Sequence, residues 1–141
     1  LEQLVKMTEQ HKLIISVQMR VEDMRGQHPL MLVKDVDVLK AVRTMAFYPE
    51  QRFMLSNLYI YEVPEALLPL DNVWVDISSM EEIDTVRELK RNDKFDKVLF
   101  SSHSPFYIPE AAVNKLKYTD ERQEDVDAVA YANAMKLLDW G

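Results

Sequence analysis

The sequence contains no cysteine, no apolar run near the length of a membrane-spanning helix and no signal-peptide pattern. Without cysteine the chain cannot form disulfides, a thiolate zinc site or a cysteine nucleophile. A transmembrane helix needs roughly 20 apolar residues in succession. We therefore expect a soluble, cytoplasmic protein that does not use a membrane as a partner.

The sequence also lacks a long block of charge of one sign, although its formal net charge is −7. Acidic residues spread over helix surfaces do not attract the phosphate backbone, so nucleic acid is not an expected partner. The chain has 141 residues, of which 48% are hydrophobic, and this is enough to bury one core. The length therefore predicts a single domain over residues 1–141.

The most informative stretch is KVLFSSHSPFY, residues 97–107, where a short apolar run gives way to small polar residues, a histidine and a proline. Val98, Leu99 and Phe100 form a continuous apolar run, which is typical of a strand buried on both faces of a parallel sheet. His103 and its neighbouring serines follow at the C-terminal end of this strand, where parallel α/β proteins place their functional residues.

Hydrophobic periodicity predicts four strands that alternate with helices. The strands are expected over residues 13–19, 52–58, 72–78 and 98–100. The helices are expected over residues 1–11, from Asp35 to before Pro49, over 64–68, 79–92 and 109–117, and from Thr119 onward. Asp35 and Thr119 are predicted N-caps, and Ser79 with Glu82 a predicted capping box.

Short apolar strands alternating with helices require right-handed β-α crossovers, so they predict an α/β fold with a parallel sheet. The pattern is typical of a parallel (β/α) half-barrel or a small open sheet, because a complete TIM barrel has about 250 residues. The chain begins at Leu1, inside a helical pattern, which indicates a fragment. A half-barrel leaves strand edges and an apolar face uncovered, so the N-terminal half of the same barrel, or a second copy in a homodimer, is an expected partner.

Three segments resemble the C-terminal half of the amidohydrolase-related family of metal-dependent hydrolases. They are NVWVDIS at residues 72–78, DKVLFSSHSPFYIPEAAVNKL at 96–116 and TDERQEDVDAVAYANAMKLLDWG at 119–141. Family members carry an N-V-Y-x-D-x-S strand, an R-V-L-F-G-S-D-x-P-F strand, a P-E-x-A helix and a last helix with N-A-x-x-L-L. The resemblance implies that this chain supplies strands five to eight of a TIM barrel.

The resemblance also implies where a divalent metal, most often zinc, would bind. Many members place a histidine at the end of the fifth strand, another at the end of the sixth, and an aspartate after the eighth. The corresponding positions here hold Gln18, Met19 and Arg20, then Asn57, then His103. An amide oxygen is a weak zinc ligand. A zinc site with His103 as a ligand is therefore one hypothesis, and a metal-free site is the other.

Two residues are predicted to carry chemistry. Histidine exchanges protons near neutral pH, so His103 is expected to act as a general acid or base. The alternative is a histidine that donates to a backbone carbonyl at a strand end. Asp76 is expected to pair with His103 across neighbouring strands and orient its ring, or else to cap the following helix.

Four further residues are predicted to contact the substrate. The fixed fork of donors on Arg20 suits a substrate carboxylate, and the alternative is a simple surface residue. Gln18 and Asn57 are expected to point into the mouth and orient a substrate oxygen, with a merely polar strand end as the alternative. His28, in the loop RGQHP, is predicted to close over the mouth, unless it is only exposed.

Two classes of function follow. The first is an amidohydrolase-type hydrolase, or a lyase such as a decarboxylase, for a small carboxylated or carbonyl substrate. Metal-free lactone hydrolysis is compatible with the altered ligands, because water with help from a base can attack a polarised ester. The second is a non-catalytic binding module derived from the barrel. The altered ligand positions favour the module, and the polar residues kept at each strand end favour the enzyme.

Overall fold

Four parallel strands form one sheet in the computed structural model, which describes residues 1–23, 25–67, 69–91 and 94–139. The strands are Ile15–Gln18 (β1), Phe53–Ser56 (β2), Val73–Asp76 (β3) and Val98–Leu99 (β4), and they pair in the order of the chain. Ile15 aligns with Phe53, and Phe53 with Val73. The predicted parallel α/β arrangement is confirmed, and every strand ends at the same edge of the sheet.

Helices connect the strands. They are Glu2–Glu9 (α1), Val38–Met45 (α2), Val63–Leu67 (α3), Thr85–Lys90 (α4), Pro109–Lys117 (α5), Gln123–Asp127 (α6) and Asn133–Leu137 (α7), with a π-helical turn, Ala128–Ala132, between the last two. The predicted helix ends at Leu68 and Asn92 lie outside the described residues. In the described ranges no helix is long and apolar enough to cross a membrane.

Three predicted helix starts are wrong, because other residues take the capping positions. Asp37, not Asp35, caps α2 and accepts a hydrogen bond from the backbone of Lys40. Asp84, rather than a Ser79–Glu82 capping box, caps α4. The helix predicted from Thr119 begins at Gln123, after Arg122. In each case several polar residues precede the apolar repeat, so periodicity alone did not identify the cap.

The two faces of the sheet have different environments, as the alternation of β3 predicts. Val73 and Val75 pack in the main core between the sheet and its helices, with Phe53. Trp74 lies on the opposite face with Leu99, in a second cluster with Leu137 of α7. Asp76 shares the face of Trp74 and is buried, so β3 delivers a carboxylate to the polar edge.

Candidate functional site

The C-terminal edge of the sheet carries a chain of four hydrogen-bonded side chains, which we call the strand-end network: Asp76, Ser78, Asn57 and His103. They lie at or after the C-terminal ends of β3, β2 and β4, three neighbouring strands. Parallel strands bring these residues together because their carboxyl ends meet at one edge. The fully buried Asn57 lies at the centre of the network.

Asn57 holds the histidine. Its Nδ2 lies 3.2 Å from His103 Nε2 and 3.2 Å from the carbonyl oxygen of Arg20. A carbonyl oxygen only accepts, so the contact with Arg20 fixes this end of the amide as the NH₂ group. Asn57 therefore donates to Nε2, which assigns the hydrogen of the ring to Nδ1.

The Nδ1–H of His103 is the group that the network presents to a ligand. No residue in the described ranges hydrogen-bonds Nδ1, and the side chain is partly exposed. Phe106 and Tyr107 pack on the ring with centroid distances of 5.3 and 5.1 Å. The ring is thus held on two sides and offers one N–H donor.

Ser78 links Asn57 to Asp76. Its Oγ lies 2.7 Å from Asn57 Oδ1 and 2.6 Å from Asp76 Oδ1. Both of these oxygens are acceptors and a hydroxyl has one hydrogen, so Ser78 donates to one of them at a time. The same Asp76 oxygen accepts from the backbone N–H of Asn57 at 3.3 Å and of Ser78 at 3.1 Å. Asp76 thus reaches His103 through Ser78 and Asn57 rather than by direct pairing, and it does not cap α4, since Asp84 does.

Arg20 does not present its guanidinium to a substrate, in contrast to the predicted role. The residue is 3% exposed. Its Nη2 donates to both carboxylate oxygens of Glu62 at 2.8 and 2.9 Å, its Nε to Asp35 at 3.1 Å, and its Nη1 to the carbonyl of Asn57. Burial alone would lower the pKa of Arg20, but the hydrogen bonds to Glu62 and Asp35 outweigh burial and raise it. The Arg20 side chain therefore stabilises the loop that contains Asn57.

The structure places the other two predicted contact residues outside the strand-end network. Gln18 is exposed at the end of β1, and its Nε2 donates to the carbonyl of Arg20 at 3.0 Å. His28 is exposed and accepts from the backbone N–H of Leu30 at 3.2 Å, within its own loop. Neither prediction is tested by these contacts.

A cleft of about 540 Å³ adjoins the network. Its lining includes Ser78 and the flanks of the His103 loop, Ser102 and Tyr107. Tyr59 also lines the cleft, and its hydroxyl donates to Asp23 at 2.7 Å. Burial and this hydrogen bond raise the pKa of Tyr59 to about 12, so the phenol stays protonated at neutral pH.

Sequence reasoning missed Ser78 and the residues of the cleft. The run DIS at the end of β3 already placed a hydroxyl two residues after Asp76, which is the same-face spacing of a strand. That spacing was the available signal for Ser78. No comparable signal marks Lys115, because a lysine on a surface helix is ordinary; its Nζ donates to the carbonyl of Ile77 at 2.6 Å.

The donor set does not fit the divalent metal that the resemblance implied. The Nε2 lone pair of His103 accepts from Asn57, and Asn57 Oδ1 faces Ser78. Across the ranges that the structure describes, no group of three or more His, Cys, Asp or Glu could hold a metal ion. Zinc with His103 as a ligand would require Asn57 to release the ring.

Solved structures with the same fold are amidohydrolases and decarboxylases. A 2,6-dihydroxybenzoate decarboxylase complexed with 2,6-dihydroxybenzoate matches with a TM-score of 0.67 and 14% identity, over 97% of this chain and 54% of that one. A putative amidohydrolase from Staphylococcus aureus matches with a TM-score of 0.61 and 15% identity, over 96% of this chain and 57% of that one. No protein-family model and no curated protein sequence matches.

One further match contains a metal. A dihydroxybenzoic acid decarboxylase from a Polaromonas species, with bound manganese and the inhibitor 2-nitroresorcinol, has a TM-score of 0.57 and 16% identity, over 72% of this chain and 38% of that one. A divalent metal therefore occurs among proteins of this fold.

The strands, their order and these matches define a class: the chain has the fold of part of an amidohydrolase-type TIM barrel. It spans about half the length of the first solved structures that it matches. The predicted half-barrel is confirmed, and its fold is similar to that of solved amidohydrolases. At 14–16% identity the likeness concerns the fold.

Proposed function

We propose that this chain forms the catalytic strand ends of an amidohydrolase-like enzyme acting on a small carbonyl or carboxylated substrate. The observation that carries the proposal is the His103 ring: Asn57 engages its Nε2, and no described residue hydrogen-bonds its Nδ1. A neutral imidazole N–H is a preorganised donor for an oxygen that gains negative charge during reaction. The three buried side chains of Asn57, Ser78 and Asp76 hold the Nδ1–H of His103 in place.

In the proposed reaction, Nδ1–H of His103 donates to the substrate carbonyl oxygen while water attacks the carbon. The tautomer that Asn57 sets makes His103 a donor rather than a base, so bulk solvent takes the proton of the attacking water. The tetrahedral intermediate then collapses: the C=O bond re-forms, the ester C–O bond breaks, and the leaving oxygen takes a proton from solvent. A lactone or activated ester suits this arrangement, because a polarised ester needs little help from a base. No step of the proposal passes through a metal, since the donor set does not fit one.

Decarboxylation is the second candidate, because three of the matching structures are decarboxylases of dihydroxybenzoates. In that reaction the His103 N–H would stabilise the phenolic or carboxylate oxygen of an aromatic acid. The third candidate is a binding module without catalysis.

The test is an assay of the purified protein on a panel of lactones and hydroxybenzoates. We expect turnover of one class, and a loss of about 100-fold in kcat/KM for His103→Asn, which removes the ring donor. The matched control is His11→Asn, an exposed histidine in the turn after α1, which should leave activity unchanged. Binding without turnover by a folded protein would support the module instead.

A further inference from the structure

The cleft beside the strand-end network has two walls, the loop of residues 78–83 after β3 and helix α5 with the residues that flank it. Three apolar residues of these walls are largely exposed to solvent: Ile83 is 98%, Ile108 71% and Tyr118 67% exposed. Scattered apolar residues on a surface are ordinary, whereas several that line one concave site are typical of a place where an apolar ligand binds.

The two walls of the cleft are tied together in two places. Lys115 of α5 donates from Nζ to the backbone carbonyls of Ile77 and Ser78, at 2.6 and 3.3 Å. Thr119, just after α5, donates from Oγ1 to the carboxylate of Asp84 at 2.7 Å, and Asp84 ends the loop by capping α4. The cleft is therefore formed before a ligand enters, and a preformed site loses little conformational entropy on binding.

The charges around the cleft disfavour an anionic ligand. Its described lining includes three carboxylates, Asp23, Glu81 and Glu82, and one ammonium, Lys115. Arg25 pairs with both Asp23 and Glu81, at 2.8 and 3.4 Å, but a single guanidinium offsets the charge of only one carboxylate. The net charge of these side chains is negative, so it repels a ligand that carries a carboxylate.

The cleft reaches the strand-end network through residues on both sides of His103 in the sequence. Ser102 precedes His103, Tyr107 follows it, and both line the cleft. The Tyr107 ring meets the His103 ring edge-on, with the two centroids 5.1 Å apart. Ser78, which belongs to the network, lines the cleft as well. A substrate whose carbonyl lies at His103 therefore extends past Tyr107 into the cleft.

We propose that the cleft holds an uncharged aliphatic chain of the substrate, the alkyl substituent of a lactone or ester. The chain packs against Ile83, Ile108 and Tyr118 and covers their exposed surface. A volume of about 540 Å³ lies in the range of small-molecule sites. Each methylene group that leaves water contributes to binding, so affinity rises with the length of the chain. The position of the carbonyl rests on the proposed function, whereas the binding of the chain does not.

Titration with primary alcohols tests the cleft without any turnover. Butanol, pentanol and hexanol are added to protein labelled at its isoleucine methyl groups, and the methyl signals are followed by NMR. We expect the signals of Ile83 and Ile108 to move and the affinity to rise about threefold per methylene, while Ile14, in the cluster on the opposite face of the sheet, keeps its signal. Hexanoate and hexylamine should bind more weakly than hexanol. An affinity that does not depend on chain length, or tighter binding of either charged probe, would overturn the proposal.

Variants at exposed positions separate binding from folding. Ile83→Ser and Ile108→Ser each remove apolar surface from the cleft and should weaken hexanol about threefold. Both side chains are exposed, so the thermal midpoint should not fall. Val113→Ser, at an exposed position of α5 outside the cleft lining, is the matched control and should leave the affinity unchanged. An unchanged affinity in both cleft variants would contradict the proposal.

Turnover of alkyl-substituted lactones connects the cleft to the reaction. We expect kcat/KM to rise with chain length in the native protein, and the rise to be smaller in Ile83→Ser. Turnover that does not depend on chain length would overturn the assignment of the cleft to the substrate. Length-dependent binding of the alcohols without turnover of any lactone would count against the proposed function and support the cleft as an alkyl-binding site.

Discussion

At the scale of single residues, the tautomer of His103 decides what chemistry the site supports. Asn57 donates to Nε2, so a neutral ring carries its hydrogen on Nδ1 and acts as a hydrogen-bond donor toward the substrate. Sequence reasoning identified His103 and Asn57 as candidates from their positions after strands. It could not predict the tautomer, because the tautomer depends on the carbonyl of Arg20, which fixes the orientation of the Asn57 amide.

We expect nitrogen NMR of the native protein at neutral to alkaline pH to show the Nδ1–H tautomer of His103. Asn57→Gly removes the donor to Nε2, so the ring should shift toward the Nε2–H tautomer that free histidine prefers. Asn114→Gly, at an exposed position of α5, is the control and should leave the His103 signals in place. A native ring already in the Nε2–H form would contradict the assigned role of Asn57.

Arg20 illustrates what a sequence does not reveal at this scale. An arginine after a strand suits a substrate carboxylate, but its function here depends on Glu62 and Asp35, which lie 42 and 15 residues away in sequence. Removing one member of a buried ion pair leaves the other charge without compensation.

Arg20→Met should therefore lower the free energy of unfolding by about 3 kcal/mol, because Glu62 loses its bidentate partner. Arg25→Met, at a side chain that is 74% exposed, should change it by less than about 0.5 kcal/mol. Urea denaturation measures both values. An equal decrease in the free energy of unfolding in the two variants would indicate that the buried ion pairs of Arg20 do not stabilise the protein.

At the scale of elements, ion pairs tie α4 to α6. Lys90 Nζ lies 2.8 Å from Glu121 and 2.6 Å from Asp125. The hydrogen bond from Lys90 is the main cause that lowers the pKa of both carboxyls. Since their folded-state pKa lies below the unfolded value of about 4, the pairs stabilise the protein above about pH 4, and this contribution is lost as the pH falls through the folded-state pKa.

Lys90→Met should thus destabilise the protein near neutral pH and have a smaller effect under acidic conditions. Urea denaturation at about pH 7 and about pH 3 compares the two. Lys136→Met, in the last turn of α7, provides a control with no carboxylate partner among the described ion pairs. A deficit of the same size at both pH values would assign the effect of Lys90 to packing of its methylene stem.

The order and type of the elements could be predicted because strands and helices leave different apolar periods in the sequence. All four strands fall within their predicted ranges, each shorter than predicted. The caps could not be predicted in the same way. Asp35, Asp37 and Asp84 have similar chemistry, and only the backbone geometry decides which of them accepts an N–H.

At the scale of the whole molecule, the C-terminal helical segment covers part of the sheet surface that a half-barrel would otherwise expose. The backbone of Phe100, after β4, donates to the carbonyl of Val129, and Leu137 packs on Trp74 and Leu99. The edge of β4 and the adjoining inner face are thereby partly covered, in contrast to the two open edges expected from the sequence. The edge of β1 is still open, and Ser16 and Gln18 are exposed along it.

We propose that the open edge of β1 is where the chain meets a second copy or the other half of a barrel. Ile15 and Met19 donate their N–H groups toward β2, so Ser16 directs its N–H outward. Ser16→Pro should reduce concentration-dependent association in light scattering without loss of folding, because proline is tolerated on an outer edge. Ser16→Thr is the control. A native chain that stays monomeric at all concentrations would contradict pairing with a second copy.

Asn57 and His103 both have a left-handed backbone, with φ of 63° and 52°. Asparagine and histidine adopt this conformation more readily than most residues, and β-branched residues rarely do. The backbone conformation alone therefore limits which amino acids each position tolerates, independently of any catalytic role of the side chain. A mutational scan read by protein abundance should rank glycine as mild and valine as severe at both positions, although either substitution deletes the same side-chain hydrogen bonds. Glycine is thus the informative deletion, since it removes the functional group and spares the turn that holds it.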